Sequence, residues 1–167
     1  MKNIKMSYSF LITLIFVFTL GNACVKGTDP AEEEMKRIAE FLELNGITED
    51  PKPSGLYYLE ITEGDSLTPV VGDTVGINFI QSNIMGYVSN TNIEEKAKEY
   101  NLWDPSFTYE PLRFKLGDST MIAGINEGVS YMKFGGDANL IIPSSLAFEN
   151  YETLLIYVEL VEVKKSE

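Results

Sequence analysis

The stretch Leu112-Arg-Phe-Lys-Leu-Gly-Asp-Ser-Thr-Met-Ile-Ala-Gly-Ile-Asn-Glu-Gly-Val-Ser-Tyr-Met-Lys-Phe-Gly-Gly136 changes its hydrophobic period part-way along. Leu112, Phe114 and Leu116 alternate with Arg113 and Lys115, the two-residue period of a half-buried strand. Beyond Gly117, Ile122, Ile125, Val129 and Met132 recur at the spacing of one helix face. Gly124 and Gly128 lie within that helix and lack the side chains that would hold a neighbour away, so the spacing predicts a closely packed helix. Asp118, beside Ser119 and Thr120, reads as its cap. Ala138 to Ile142 then forms a strand. Strand, short helix and strand, joined by tight glycine turns, set the centre of the domain.

Working outward, the period of two returns on both sides. Tyr57, Leu59 and Ile61 alternate with Tyr58 and Glu60, and Val75, Ile77 and Phe79 alternate after the Gly72-Asp73 turn. Leu154 to Val163 reads as the last strand. Between Asn92 and Trp103 the pattern predicts a helical insert, with Asn92 as cap and Glu95 three residues on. Ahead of the strands, Asp29-Pro30 starts a helix, with Glu32 at the capping-box position and an apolar face of Met35, Ile38, Ala39 and Leu42. Gly46 is placed to end it, and Pro51 and Pro53 mark the break that follows. Trp103 and Tyr109 read as buried packing beside the insert or as the edge of a binding surface. The architecture expected is α+β, an antiparallel sheet around a short helix, with an extra N-terminal helix.

The 167 residues suffice for one domain and a terminal extension. The net charge is −12; residues 1–23 contribute two lysines and no acid, so the chain from Cys24 onward carries −14. An acidic surface without a basic stripe argues against nucleic-acid partners. The sequence contains no histidine and one cysteine, which excludes His-based metal sites, His-activated nucleophiles and an internal disulfide. No metal or cofactor is expected. Lys2 and Lys5 precede an apolar run from Phe10 to Leu20, then Gly21, Asn22 and Ala23, the layout of a secretory signal peptide over residues 1–23. Leu20-Gly-Asn-Ala-Cys24 resembles a lipobox, which implies that Cys24 is lipidated and anchors the protein to a membrane. Residues 24–52 are then tether and N-terminal helix, and 53–167 the domain. The expected location is the cell envelope, on the outer membrane facing the periplasm.

From Leu-Gly and Ile-x-Gly through Glu-Gly and Met-x-x-Gly to Ile142-Pro-Ser-Ser-Leu-Ala-Phe148, the landmarks resemble the FKBP family of prolyl isomerases. Ser54-Gly-Leu-Tyr-Tyr58, Gly72-Asp-Thr-Val75 and Val158-Glu-Leu160 extend the resemblance over Pro53 to Lys164. The helix ahead of the domain and the insert near Ile93–Asn101 are similar to lipoprotein members from Bacteroidetes-like bacteria. The resemblance implies a curled antiparallel sheet, a half-barrel wrapped on a short helix, with a side-chain-lined pocket between them. The implied chemistry uses neither acid, base nor metal. An X-Pro amide resists rotation by roughly 18–20 kcal/mol because resonance stiffens its C–N bond. A dry apolar pocket favours the twisted amide, in which charge separation is reduced, so catalysis is differential binding of that form.

By the same resemblance the pocket consists of Phe79, Leu112, Met121, Ile122, Ile125, Phe148 and Ile156, with the Ile122 backbone N–H free for a substrate carbonyl. Several of these depart from the family. Phe79 and Phe148 stand where it has tyrosines, and Ile125, Leu112 and Ile156 where it has aromatics. Ser89-Asn90 occupies the place of a Phe-Asp pair, and the loop Glu149-Asn-Tyr-Glu152 is short. Each lost aromatic removes about 0.5–1.5 kcal/mol of stacking beyond area burial, and each lost hydroxyl bond about 1 kcal/mol. Two roles follow: a degenerate domain that binds extended peptide or an envelope protein partner with catalysis weak or lost, or an active isomerase assisting envelope protein folding.

Overall fold

A computed structural model describes residues 28–166, so the stretch expected to be a signal peptide, Cys24 and most of the expected tether lie outside the described residues. The first helix, α1, spans Pro30–Leu44. Asp29 caps it by accepting a hydrogen bond from the Ala31 N–H (3.0 Å), and Pro30 fits the first turn, where no N–H is needed. At the other end Gly46 adopts φ +64°, and the N–H groups of Gly46 and Ile47 bond back to the carbonyls of Glu43 and Leu42. That pair of bonds is a Schellman stop.

Six strands follow in one antiparallel sheet: β1 Tyr57–Thr62, β2 Thr74–Asn83, β3 Val88–Thr91, β4 Leu112–Lys115, β5 Asp137–Ile142 and β6 Leu154–Lys164. Helix α2, Glu94–Glu99, lies between β3 and β4; α3, Ala123–Tyr131, lies between β4 and β5. The sheet order is β1-β5-β6-β2-β3, and β4 also pairs with β2. β3 was not anticipated; its Ser89, Asn90 and Thr91 carry no apolar alternation, and pairing to β2 makes it a strand.

Alternation along the strands divides the apolar residues between two layers. Leu140 and Ile142 of β5 and Ile156, Val158 and Leu160 of β6 join Ile125 and Val129 of α3 in the main core. Tyr57, Ile141 and Leu155 face the other way, under Ile38, Phe41 and Leu42 of α1. The N-terminal helix is therefore docked on the back of the sheet. Its buried stripe is Glu34, Ile38, Phe41 and Leu42, not the expected Met35, Ile38, Ala39 and Leu42; Met35 and Ala39 are exposed. The rotation brings Glu34 to polar partners described below. Ile61 is likewise exposed, beyond the reach of α1.

β2 is the organising strand. One edge pairs with β6 from Thr74 to Asn83. The other is shared, by β4 over Thr74–Ile77 and β3 over Ile80–Ser82. Between these two partners the backbone of Phe79 has no neighbouring strand, and side chains replace it. The Asn92 Oδ1 accepts from the Phe79 N–H (2.8 Å), and the Thr91 hydroxyl donates to the Phe79 carbonyl (2.6 Å). The Asn92 Nδ2 also donates to the carbonyls of Ile77 (2.8 Å) and Glu110 (3.0 Å). Asn92 was expected to cap α2; instead Ile93 holds the N-cap position with no side-chain bond, and Asn92 is buried as a strand surrogate. The Asp118 carboxylate accepts from the Thr120 N–H within a turn, and Ile122 holds the N-cap position of α3, so Asp118 is not that helix's cap.

At the strand's start, Asp73 accepts from the N–H groups of Val70 and Ser166 (both 2.9 Å) and from Lys165 (3.0 Å). Those bonds hold its carboxyl down to about 2 and tie the C-terminal end to the entry of β2.

Removing Asn92 leaves buried backbone groups on β2 unpaired. Asn92→Ala is expected to lower stability by about 1–3 kcal/mol in urea unfolding and to speed amide exchange at Phe79. Unchanged exchange there would show that the gap between β3 and β4 closes without it.

Candidate functional site

The main core reaches the surface beside the N-terminus of α3. Gly124 and Gly128 let that helix lie against β5: a Cβ on either would fall 2.4 Å from Ile142 or 2.5 Å from Leu140. With the helix this close, Ile125 is 5% exposed, and Ile156 of β6, in the same core, is fully buried. Phe79 of β2, Met121 and Ile122 pack partly exposed against the same cluster. The Ile122 carbonyl accepts from the N–H groups of Ile125 and Asn126 (both 3.0 Å), and among the described residues its own N–H has no protein acceptor. The stem before α3 is fixed by Asn126, whose carboxamide accepts from the Gly117 N–H (2.9 Å) and donates to the Asp118 carbonyl (2.7 Å).

Five of the seven sequence-derived positions thus lie in or against the main core: Phe79, Met121, Ile122, Ile125 and Ile156. Leu112 and Phe148 are exposed and stand outside the buried cluster. Leu112 shares with Phe79 a groove of about 620 Å³ lined also by Asn90, Phe107, Glu110 and Arg113. Phe107 escaped the sequence reading because it lies in an irregular segment with no period to mark it. Trp103 is 45% exposed, which overturns the packing role and leaves it on the surface of the insert.

Phe148 follows a 3-10 turn, Ser144–Leu146, on a short loop in which Glu149 (φ +54°) and Tyr151 (φ +61°) adopt the left-handed conformation without being glycine. Such backbone persists only when its surroundings over-determine it. Helix α1 provides those surroundings. The carboxylate of Glu34, 5% exposed, accepts from the Ser144 N–H (2.7 Å), the Ser144 hydroxyl (2.5 Å) and the Thr153 hydroxyl (2.9 Å). Arg37 donates to the Tyr151 carbonyl (2.7 Å). Burial pushes the Glu34 carboxyl up, but the bonds from Ser144 and Thr153, helped by Arg37, outweigh it and hold the carboxyl below the usual glutamate range. Both ends of the loop are therefore pinned to the N-terminal helix by one buried acid.

The sequence model of the family described as FKBP-type peptidyl-prolyl cis-trans isomerase matches residues 68–157. An FK506-binding protein of Streptomyces anulatus is 32% identical over 121 residues, covering 66% of this chain and 88% of that one. The chain belongs to the FKBP-type peptidyl-prolyl cis-trans isomerase family. The chloroplastic FKBP16-3 isomerase of Arabidopsis thaliana is 30% identical over 119 residues, 70% of this chain, and the chain spans 48% of its length. Among solved structures, that of FkpA from Escherichia coli superposes with a TM-score of 0.60 at 23% identity, covering 98% of this chain and 76% of that one. At that identity the likeness concerns the fold: an unclosed antiparallel sheet on a short helix, preceded by an N-terminal helix, as the FKBP resemblance implied.

Among the described residues no group of three His, Cys, Asp or Glu side chains is arranged to hold a metal ion. Beside the N-terminus of α3 the surface offers partly exposed apolar side chains and, among the described residues, one backbone N–H without a protein acceptor.

The latch has a defined pH signature. Because the folded state depresses the Glu34 pKa, its contribution is complete at pH 7 and fades as pH falls through the depressed folded value. Glu34→Gln is expected to cost about 1.5–3 kcal/mol at pH 7 in urea unfolding, with the gap to wild type narrowing toward pH 3. Hydrogen exchange should rise selectively from Ser144 to Thr153; a uniform rise would remove the local latch.

Proposed function

We propose that this FKBP-type domain binds extended, proline-containing polypeptide in the bacterial cell envelope, with isomerisation slowed by several powers of ten. Phe79, Met121, Ile122, Ile125 and Ile156 would grip the proline ring, with Leu112 and Phe148 as rim. The Ile122 N–H would hold a flanking carbonyl. The observation that carries the reading is Ile125, a buried aliphatic side chain at the position where the FKBP resemblance puts the family's pocket-floor aromatic. The hydroxyls absent at Phe79 and Phe148 act in the same direction. Losses of this kind accumulate quickly, since about 1.36 kcal/mol is one decade of rate. Binding is less affected, because the apolar surface and the free N–H hold the planar ground state as well as the twisted one.

Full isomerase activity is the second reading, and the unpaired Ile122 N–H beside partly exposed apolar side chains favours it. That donor would hold the substrate in either role. A protease-coupled assay on X-Pro peptides decides between them. The expected outcome is a rate close to the solvent rate, together with peptide-dependent amide shifts at Ile122 and Ile125. Turnover comparable to aromatic-lined family members would establish the second reading, and neither turnover nor shifts would end both.

We propose further that residues 1–23 are removed as a signal peptide and that lipidated Cys24 anchors the protein to the outer membrane, facing the periplasm. Three residues separate Cys24 from Thr28. Even fully extended, that tether spans only about 14 Å, which would hold the N-terminal end of α1 close to the bilayer. Fatty-acid labelling of cells should mark the wild-type protein, and Cys24→Ala should abolish the label and release the protein from the membrane fraction. A membrane-bound, unlabelled wild type would refute lipidation.

A further inference from the structure

From Thr74 to Ile93 the chain carries no charged side chain, twenty consecutive residues in a protein in which 23% of residues are charged. Most of that stretch is the β2–β3 hairpin, and its tip, Asn83-Ile-Met-Gly-Tyr87, presents two large apolar side chains to solvent: Met85 is 76% exposed and Tyr87 71%. Hairpin tips are ordinarily built of small polar residues, so an apolar tip on a surface this acidic calls for a partner. We propose that this tip is a membrane-contacting element, seated in the interfacial region of a lipid surface without net charge. The proposal rests on the lipid anchor at Cys24 inferred above and adds to it the face that the anchored domain turns to the bilayer.

The tip holds its shape without help from a partner. The Asn83 Oδ1 accepts from the N–H groups of Met85 and Tyr87 (both 3.0 Å). The Asn83 carbonyl accepts from the Gly86 N–H (2.9 Å), and the Asn83 N–H donates to the Tyr87 carbonyl (3.1 Å). Gly86 supplies the left-handed φ of +84° that this path requires. The N–H groups of residues 83, 85, 86 and 87 are all satisfied within the turn, which removes a large part of the cost of placing backbone in a layer poor in water. Methionine and tyrosine suit such a layer: the first is flexible and apolar, and the second keeps a hydroxyl for the headgroups.

The place of the tip relative to the anchor identifies the partner. Ile84 and Met85 line one hollow of about 450 Å³ together with Tyr151 and with Pro30, the first residue of α1. The tip and the start of α1 therefore occupy the same end of the molecule, and Thr28 is at most about 14 Å of extended chain from Cys24. A bilayer that holds Cys24 lies within reach of Met85. Charge sets the kind of lipid. Glu33 and Glu152 line the hollow, and its one cation, Arg37, donates to the Tyr151 carbonyl (2.7 Å). Lys115 and Lys164, which would favour an anionic surface, flank Thr74 at the other end of β2, about 30 Å away. Zwitterionic headgroups are thus preferred to anionic ones, and apolar transfer carries the contact.

The full chain is expressed in cells with a labelled fatty acid, and the purified protein is reconstituted into phosphatidylcholine vesicles with brominated acyl chains, which quench tryptophan at contact range. In a Trp103→Phe background, Tyr87→Trp is expected to lose fluorescence. Phe134→Trp should keep it, since the adjoining Gly135 N–H bonds to Leu160, six residues along β6 from the Leu154 that pairs with Asn83. Adding Met85→Asp should remove the quench and leave the fatty-acid label in place, and added phosphatidylglycerol should weaken the quench. A labelled protein whose Tyr87→Trp form is not quenched overturns the contact and leaves the anchor standing. A quench that grows with phosphatidylglycerol overturns the apolar character of the contact. Shielding of the tip from acrylamide that follows protein concentration and not lipid would assign the surface to a second copy and overturn the proposal. An unlabelled wild type overturns anchor and contact together.

Discussion

The whole arrangement depends on how closely α3 can approach the sheet. With hydrogen in place of a side chain at Gly124 and Gly128, the helix backbone rests on Ile142 and Leu140 of β5, where a Cβ would fall 2.4–2.5 Å from those side chains. That distance decides what lies on the helix's other positions. Ile125 and Ile156 are buried in the same core, and Ile122 holds the N-cap, where among the described residues its N–H has no protein acceptor. Larger residues at the two glycines would overpack the interface, at about 1–3 kcal/mol, and lift the helix from the sheet.

The strand pattern around that contact was legible because its signals are local. Alternation fixes which residues of a strand share a face, and the main-core positions Val75, Ile77, Phe114, Leu140 and Leu160 lie as the period requires. The less legible features are those where a polar group does the work of an apolar one or of a strand. Glu34 is buried because three donors on a loop over one hundred residues away meet it. No periodicity contains that information, and a hydrophobic reading of α1 naturally chose Met35 and Ala39 instead. Asn92 looked like a cap because Asn commonly is one; only the gap between β3 and β4 gives it a different task. Phe79, Met121, Ile122, Ile125 and Ile156, singled out by motif order, lie in or against one core. Phe107 was not singled out, since an irregular segment gives its residues no common direction.

The sheet has two working faces, and they are linked. On one side it packs against α3; on the other it carries α1, whose Glu34 and Arg37 hold the loop bearing Phe148. Two left-handed non-glycine residues in that loop are tolerated because the latch fixes the chain at both ends. The N-terminal helix is thus part of the site's support.

What distinguishes binding from turnover in such a site is the part of the amide that changes. A proline ring keeps its apolar surface throughout the rotation, so on the proposed reading Ile125, Ile156 and Phe79 would contribute to ground and twisted states alike and favour residence over rate. Rate enhancement needs contacts that strengthen only as the amide twists, and these come from polar groups fixed near the rotating carbonyl. Here Phe79 and Phe148 stand where the family's tyrosines would present hydroxyls, and the Ile122 N–H remains as a backbone donor, independent of side-chain identity. On the reading proposed above, an apolar surface with one such donor would hold an extended chain better than it would rotate it.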